Sequence, residues 1–387
     1  MKVKARSWFQ GGLAALALAV AAGASADVNI GVIVSTTGPA ASLGIPARNT
    51  VDLWPQEIAG QKIRVTVLDD ASDTTAATRA ARKLTQEEKV DVIVGPSITP
   101  TSLAVLQVAG ETSTPTLSLA GGGAIIDPPE GPRRWVFKMP PSEEIQLGII
   151  FDHMKKKGEK RLGIVGVSNA YGQVFIDVAQ KLAQQHGIEI VNVERFNPTD
   201  ASVVAQTVKM LGTSPDAVFI AAVGTPAAMP HVELKRRGFA GTIYQTQAIA
   251  NNDFLRVGGK DVEGGVLPVS PLLVAEQLPQ NDPIRPVAMS YVERYEGKYG
   301  PGTRAVFGGT AWDALILIEK ALPQALQKGQ PGTAEFRTAL RDALETSKEV
   351  VLAQGVYSLS PTDHNGADQR SQVLVEIRDG AWRYIGN

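Results

Sequence analysis

A hydroxyl-rich loop is the segment of this sequence best suited to binding chemistry. Ser97, Thr99, Thr101 and Ser102 come shortly after the apolar stretch Val90–Val94 and lead into a segment with helical spacing. Hydroxyl groups and unsatisfied backbone N–H groups at a helix N-terminus form an anion site, because the free donors and the helix dipole both favour negative charge there. The loop therefore predicts a site for a carboxylate. The alternative is that these hydroxyls only cap the helix.

Three consecutive glycines form a second candidate loop. Gly121, Gly122 and Gly123 follow the apolar stretch Thr116–Leu119. Ligands of open α/β sheets sit outside the carboxyl ends of the strands, and glycines let backbone amides approach a carboxylate closely. We therefore expect this loop to face the same ligand as the hydroxyl-rich loop. The alternative is a flexible turn without a ligand.

The motifs of the common enzyme classes are missing from the sequence. There is no H-E-x-x-H pair, no G-x-S-x-G elbow, no P-loop and no G-x-G-x-x-G in the first βα turn. The four histidines are scattered along the chain: His153, His186, His231 and His364. Asp69-Asp70 could act as an acid/base pair, but its place at the end of a strand favours bracing of loops. We predict no enzymatic activity, no cofactor and no metal site.

The elements that must position these loops alternate regularly. Stretches rich in β-branched residues alternate with helical patterns through the first part of the chain. The predicted strands are Val28–Val34, Ile63–Leu68, Val90–Val94 and Thr116–Leu119. Such alternation predicts parallel strands joined by right-handed helical crossovers, which is an α/β fold with doubly wound sheets.

The pattern restarts after a break at Phe137–Ser142. Four further strands are predicted, at Leu162–Val167, Ile188–Val193, Ala217–Val223 and Thr242–Gln245. The helix predicted between the second and third of them carries one apolar face, made of Val203, Val204, Thr207, Val208 and Leu211. Two successive series of this kind predict two lobes.

Three helical patterns come late, at Arg285–Tyr299, Gly309–Leu322 and Thr333–Thr346. They are followed by a predicted β-hairpin of Ser371–Ile377 and Trp382–Ile385. Helices this late can complete the first lobe only if the chain crosses back. We therefore expect several crossover segments at one waist, which would act as a hinge around a cleft.

This topology gives approximate lobe boundaries. We predict an N-terminal lobe of residues 27–138 and 272–370 and a C-terminal lobe of residues 139–271 and 371–387. Both lobes would be doubly wound parallel sheets, and the chain between them would form a multi-strand hinge.

The first 26 residues have the features of a cleavable signal peptide. A basic start precedes the apolar stretch Gly11–Ala24, and Ala24-Ser25-Ala26 supplies the small residues that a signal peptidase requires. The apolar stretch is shorter than the roughly 20 residues of a membrane-spanning helix. We predict cleavage near Ala26 and a periplasmic protein.

The overall composition excludes some partners and anchors. The chain has no cysteine, which excludes a lipoprotein anchor and disulfides, and its formal net charge is −1. A nucleic-acid binder would show a broad basic field, and none is present. We predict a monomer that binds a small molecule.

Several short motifs share their order and spacing with a known family. They are Thr37-Gly38-Pro39, Leu68-Asp69-Asp70, Val94-Gly95-Pro96, Pro115 to Ala120, Ala170-Tyr171-Gly172, Asp200 and Ala311-Trp312-Asp313-Ala314. In this order they resemble the type I periplasmic binding proteins of the leucine/isoleucine/valine-binding kind, over essentially all of the chain after the signal. The resemblance implies a small-molecule solute and, as partner, an inner-membrane ABC permease with its ATPase. A sensory binding protein is the alternative.

The resemblance also implies ligand contacts. It places Thr99 where the family uses a serine to hold the ligand carboxylate, and it places Ala120 and Gly122 beside the polar head of the ligand. Gly122 would offer an N–H group but no hydroxyl. Tyr171, from the facing lobe, matches the family tyrosine that closes over the solute; the alternative is an ordinary half-buried tyrosine.

The facing lobe departs from the family pattern. Ala248, beside Gln247, matches the acidic residue that holds the ammonium of an amino acid, and Val223-Gly224 matches paired aromatic residues, so small residues would open space there. A buried ammonium without its counter-charge costs about 3–5 kcal/mol, or roughly two to four orders of magnitude in affinity. We therefore predict a carboxylate ligand without an α-amine, such as an aromatic acid. The alternative is a branched-chain or other hydrophobic amino acid, which an acidic side chain reaching in from elsewhere, such as Asp253, would favour.

Overall fold

A computed structural model of the chain describes residues 27–386. The predicted signal peptide, residues 1–26, lies outside the described residues. None of the helices within residues 27–386 has the length and apolar content needed to span a membrane. The described chain forms two sheets flanked by helices, and this confirms the predicted α/β fold with two doubly wound lobes.

The first sheet is built by the first part of the chain. Its strands are β1 (Val28–Val34), β2 (Glu57–Ile58), β3 (Gln61–Asp69), β4 (Val92–Val94), β5 (Thr116–Ser118) and β6 (Val136–Lys138), in the order β2-β3-β1-β4-β5-β6. All neighbours are parallel except β2, which forms an antiparallel hairpin with β3. The crossovers between parallel strands are the helices α1 (Ala41–Val51), α2 (Thr74–Arg82) and α3 (Thr99–Thr112).

The second sheet begins with β7 (Arg161–Val167), β8 (Glu189–Phe196), β9 (Ala217–Ala221), β10 (Thr242–Gln245) and β11 (Val266–Val269). Helices α4 (Glu143–Lys157), α5 (Ala170–His186), α6 (Val204–Leu211), α7 (Ala228–Arg236) and α8 (Asn252–Gly258) accompany these strands. The order is β15-β14-β11-β10-β9-β7-β8. Its last two strands, β14 (Val373–Arg378) and β15 (Ala381–Gly386), are antiparallel and form the predicted hairpin.

The late helices return to the first lobe, as predicted. They are α9 (Arg285–Tyr299), α10 (Val306–Leu326) and α11 (Ala334–Leu344), and a short ribbon of β12 (Val350–Val351) and β13 (Val356–Tyr357) follows them. Leu315 of α10 and Phe336 of α11 are buried in one core with Val32 of β1. Within residues 27–386 the chain therefore passes between the lobes three times: after β6, after β11 and before β14.

The two sheets support the division into lobes that we proposed from the sequence. Strands β1–β6 belong to one sheet, and strands β7–β11 with β14 and β15 belong to the other. The boundaries at residues 138/139, 271/272 and 370/371 remain a proposal.

The predicted break at Phe137–Ser142 is wrong in its first residues. Phe137 and Lys138 belong to β6, the edge strand that pairs with β5. Pro140-Pro141 follows shortly after this strand. Because prolines interrupt a β pattern, the three-residue strand before them is difficult to recognise in the sequence. Only the residues after β6 form the connection to the second lobe.

The apolar face predicted for α6 is wrong at two of its five residues, Val204 and Val208, whereas Leu211 packs against the core of the second lobe. Val204 and Val208 are 43% and 51% exposed, whereas Val203, Thr207 and Met210 are buried. The physical reason is the fit of Met210, whose sulfur occupies the space beside Gly163 in β7. This contact turns α6 about its axis relative to the face that the pattern predicts.

Candidate functional site

The candidate site is a cavity of about 30 Å³ between the two lobes. A buried water needs roughly 10–15 Å³ by the same kind of measure, so the cavity as described has room for water and not for a whole solute. Six of the nine residues predicted from the sequence line this cavity: Ser97, Thr99, Gly121, Tyr171, Gln247 and Ala248. The structure thus brings both lobes to one place, at the ends of strands from both sheets.

The first lobe contributes two buried hydroxyl groups. Thr99 is the first residue of α3, and its Oγ1 accepts the Gly122 N–H at 3.1 Å. Ser97 Oγ accepts the Ser35 N–H at 3.2 Å. Within the described part of the chain, neither hydroxyl donates to another protein group, so each retains a proton for an acceptor in the cavity. The N-terminus of α3 adds its dipole to this polar side.

The glycine loop is held by hydrogen bonds and is not a flexible turn. The Gly122 N–H is used by Thr99, and the Gly123 N–H donates to Glu143 Oε1 at 2.7 Å. The Ala120 N–H donates to Ser118 Oγ at 3.2 Å. The prediction that Gly122 offers its N–H to the ligand is therefore wrong, because that group already binds Thr99. Gly121 is the member of the loop that lines the cavity.

Gly122 is instead required by close packing. A β-carbon at this position would lie 2.5 Å from Thr99 Cγ2 and 2.7 Å from its Oγ1. Any larger residue would push Thr99 away and break the hydrogen bond between the two residues. Neither Gly122 nor Ala120 lines the cavity. Gly122 instead packs against Thr99, which does line it.

Gly224 does not open space for a ligand as the sequence predicted. Its N–H donates to the Ala248 carbonyl at 2.8 Å, and a β-carbon there would lie 2.8 Å from both Leu43 Cδ1 and Ser42 Oγ. Both of these atoms belong to α1 in the first lobe. Because Gly224 has no side chain, Leu43 and Ser42 of the opposite lobe can pack against it. These side chains fill the space that the sequence predicted to be open for a ligand.

Asp69 and Asp70 brace the loops behind the site. The buried Asp70 accepts the Ser35 hydroxyl at 2.6 Å and the Ser72 N–H at 2.9 Å. Asp69 accepts the Thr37 hydroxyl at 2.7 Å. Burial raises the pKa of Asp70. The contacts confirm the bracing role, since both carboxyl groups bind the loops that follow β1 and β3.

Tyr171 closes the cavity from the second lobe. It is the second residue of α5, where Asn169 caps the helix by accepting the Tyr171 N–H at 2.9 Å. Its ring packs on Phe175 at a centroid distance of 4.9 Å, and its edge lies 3.4 Å from the β-carbon position of Gly121. Burial raises the pKa of the hydroxyl, so Tyr171 remains a neutral group that can donate or accept a hydrogen bond.

The side chains that line the cavity carry no charge. Ala248, which the resemblance matches to the family's acidic residue, is one of the uncharged lining residues. Asp253 lies elsewhere, on α8, where it pairs with Arg256 at 2.8 Å and is 46% exposed. Glu143 is buried nearby, but it binds Gly123 and does not line the cavity, and burial raises its pKa.

The comparisons with known proteins agree with this architecture. The sequence profile of the periplasmic binding protein family matches residues 27–381. The chain belongs to the periplasmic binding protein family. Members of this family are solute-binding proteins and not enzymes, so the predictions of the family and of a non-enzymatic role are confirmed.

Among solved structures, this binding protein is similar to an extracellular ligand-binding receptor from Rhodopseudomonas palustris HaA2. The two are 42% identical, with a TM-score of 0.90 over 93% of this chain and 100% of that one. A solute-binding protein of an ABC transporter from Rhodopseudomonas palustris BisB5, solved with 3,4-dihydroxybenzoic acid, is 22% identical, with a TM-score of 0.77 over 93% and 96% of the two chains. At that identity the second likeness shows the fold alone.

A relative known by sequence is the Leu/Ile/Val-binding protein homolog 3 of Brucella melitensis biotype 1. It is 21% identical over 355 residues, which cover 90% of this chain and 91% of the relative. This likeness runs over nearly the whole length of both proteins. It supports the resemblance to leucine/isoleucine/valine-binding proteins that the motifs indicated.

Sequence reasoning missed several residues that line the cavity of this binding protein. Leu43 of α1 and Phe307 of α10 are apolar residues near helix starts, and Gln146 lies in the first turns of α4. The two apolar residues follow the same pattern as core residues, so no sequence signal distinguishes them. Gln146 is a buried amide, and its position after the Pro140-Pro141 connection was the one available hint.

Proposed function

We propose that this protein is the periplasmic solute-binding component of an ABC importer and that it captures a small carboxylate without an α-amine, such as an aromatic acid. The lobes would close on the solute and present it to an inner-membrane permease with its ATPase. Export would follow from the signal peptide, with cleavage near Ala26. The observation that carries the proposal is a cavity with hydroxyl donors on one side and no charged side chain on the other.

The polar wall suits a carboxylate. Thr99 and Ser97 each have a free O–H donor, and the N-terminus of α3 points its dipole at the same place. Hydrogen bonds to a charged group contribute about 1.5–3 kcal/mol each. Two such donors and the helix dipole therefore support binding of one anionic group without a cationic side chain.

The opposite wall disfavours an ammonium. Ala248 replaces the acidic residue expected for an amino-acid ligand, and Asp253 is directed to Arg256 on the surface. An unpaired buried ammonium would cost about 3–5 kcal/mol. A solute with a carboxylate and an apolar or weakly polar body avoids this cost.

The relatives support both candidate ligand classes. The dihydroxybenzoic acid bound to the solute-binding protein from Rhodopseudomonas palustris BisB5 supports an aromatic acid. The name of the Brucella relative supports leucine, isoleucine or valine. The absence of charge from the cavity lining favours the aromatic acid for this chain.

Calorimetry on the purified exported protein tests the proposal. Benzoate, cinnamate and 3,4-dihydroxybenzoate are compared with leucine, isoleucine and valine. We expect saturable binding of at least one acid and none of the amino acids. Tight binding of leucine without a response to the acids would contradict the proposal.

A pair of variants at Ala248 sharpens the test. Ala248→Glu adds the counter-charge, and Ala248→Gln is a neutral control of nearly the same size. We expect Ala248→Glu to weaken acid binding at least about tenfold more than Ala248→Gln, because a carboxylate facing the ligand repels its charge. Equal effects of both variants would show that Ala248 does not face the ligand.

A further inference from the structure

Three buried glutamines meet beside the cavity: Gln146 of α4, Gln247 after β10 and Gln372 before β14. Gln372 lies on the third crossing between the lobes and is 1% exposed. Its Nε2 donates to two acceptors, the Ser371 carbonyl at 2.8 Å and Gln247 Oε1 at 2.9 Å. Gln372 therefore links the hinge to a residue that lines the site.

The backbone fixes the orientation of Gln372. A carbonyl oxygen only accepts hydrogen bonds, so the amide nitrogen of Gln372, and not its oxygen, must face the Ser371 carbonyl. The second hydrogen of that nitrogen is directed at Gln247. The opposite orientation would place two acceptors against each other in a buried place, and this carries a large desolvation cost.

The same logic fixes the orientation of Gln247. Its Oε1 accepts from Gln372, so its Nε2 is left for the cavity that the side chain lines. Within residues 27–386, no protein acceptor binds this nitrogen, as the hydrogen bonds of Gln247 involve its Oε1 and its backbone. Gln146 Oε1 accepts the Gln247 N–H at 3.4 Å and holds the backbone in place.

We propose that Gln372 is a positioning residue that sets the polarity of Gln247, and that the solute therefore carries a hydrogen-bond acceptor at the end that faces the second lobe. This inference rests on the proposed function, because it takes the carboxylate to bind at Thr99 and Ser97. The solute class is then a carboxylate whose far end is a carbonyl, ether or phenolic oxygen. An amino group at that end would meet the hydrogens of the Gln247 amide.

The substitution Gln372→Glu reverses this polarity. A protonated Glu at position 372 has a single O–H where Gln372 Nε2 has two N–H groups; it donates this O–H to the Ser371 carbonyl, and the same oxygen then presents only lone pairs to Gln247. An ionised Glu presents acceptors only. In both cases Gln247 must turn its Nε2 to position 372, so that its Oε1 faces the cavity. Gln372→Met is the matched control, since it removes the link without imposing the opposite orientation.

The test compares probes that differ only at the far end. Calorimetry measures binding of 3- and 4-formylbenzoate, which offer an acceptor, and of 3- and 4-aminobenzoate, which offer donors, with benzoate as reference. We expect the wild-type protein to bind each formylbenzoate about tenfold more tightly than the aminobenzoate that is substituted at the same ring position. The preference should invert in Gln372→Glu and largely disappear in Gln372→Met.

The outcomes separate this inference from the proposed function. If benzoate and all its derivatives fail to bind while leucine binds, the proposed function fails and the inference fails with it. If the acids bind with the same formyl-to-amino ratio in the wild-type protein and in Gln372→Glu, the inference is overturned and the proposed function stands. If Gln372→Glu does not fold, Gln247→Met carries the test: it should abolish the discrimination between probes, and discrimination that persists would overturn the inference.

Discussion

At the level of single residues, Thr99 has two roles. Its Oγ1 accepts the Gly122 N–H and keeps its own proton for the cavity, and its methyl group occupies the space that a side chain at position 122 would need. The residue therefore fixes the glycine loop and also lines the cavity. One hydroxyl can do both because it accepts and donates at the same time.

We predict that Thr99→Val weakens binding of the acid ligand by roughly 10- to 100-fold. A hydrogen bond to a charged group contributes about 1.5–3 kcal/mol, and each 1.4 kcal/mol is about a tenfold change in affinity. Calorimetry measures the loss, and a thermal melt checks that the variant is folded. Thr99→Ser keeps the hydroxyl and should bind within a few-fold of the wild-type protein. Unchanged affinity in Thr99→Val would show that the carboxylate binds elsewhere.

At the level of secondary structure, His231 joins α7 to the second sheet. Its Nδ1 lies 3.2 Å from Gln245 Nε2 of β10, and its ring fills the space beside Gly265. The ring is fully buried, and this burial lowers the pKa of His231 from 6.5 to about 3, because a charged imidazole would lose its hydration. The contact therefore requires a neutral histidine.

We predict that His231→Gln flattens the dependence of stability on pH. Because the pKa of His231 is lower in the folded state, the unfolded chain takes up the proton first, and the stabilisation present above pH 6.5 is lost as the pH falls towards 3. Each pH unit corresponds to about 1.4 kcal/mol. Between about pH 7.5 and 4.5, the free energy of unfolding should therefore fall by about 2–3 kcal/mol less in the variant than in the wild-type protein.

Urea unfolding at these two pH values measures the difference. His186→Gln is the matched control for the exchange of a histidine for a glutamine, because the His186 side chain is 24% exposed on α5. If the free energy of unfolding falls equally between the two pH values in His231→Gln and in the wild-type protein, the buried ring does not govern acid unfolding.

At the level of the whole molecule, the two lobes contact each other through apolar side chains as well as at the candidate site. Leu43 of α1 and Phe307 of α10 come from the first lobe, yet they pack with the core of the second. Leu43 and Ser42 pack directly against Gly224, at a position where the β-carbon of any other residue would clash with them. The contact between the lobes thus includes a close fit between α1 and the segment that follows β9.

We predict that Gly224→Ala impairs closure and weakens ligand binding about tenfold. Its β-carbon would meet Leu43 and Ser42 at 2.8 Å, so the lobes could not approach fully. Calorimetry measures the affinity, and small-angle X-ray scattering should show a larger radius of gyration in the presence of ligand than for the wild-type protein.

Gly259→Ala is the matched control for backbone strain. Gly259 has a φ of 54° and a ψ of −137°, close to the 61° and −153° of Gly224, and a β-carbon there would meet no atom within 4 Å. Both variants should lose about 1–3 kcal/mol of stability, but only Gly224→Ala should lose affinity. Equal affinities would show that this contact does not control closure.

Local patterns in the amino-acid sequence were enough to predict the class of fold and the position of the polar loop. Long β-branched strands such as Val28–Val34 and helices such as Arg285–Tyr299 follow from local periodicity, which each segment carries alone. Thr99 was predictable because it closely follows a strand and opens a helix. These features depend on neighbours in sequence.

Which groups are free to bind a solute depends on contacts between distant segments. Gly122 donates to a residue 23 positions away, and Gly224 receives side chains of α1 from the other lobe. The orientation of Gln247 depends on Gln372, 125 positions away. Local periodicity contains no information about such contacts, because they arise when two lobes with separate cores close on each other. Sequence patterns therefore pointed to the candidate site, and the packing of the lobes decided which of its polar atoms are left without a protein partner.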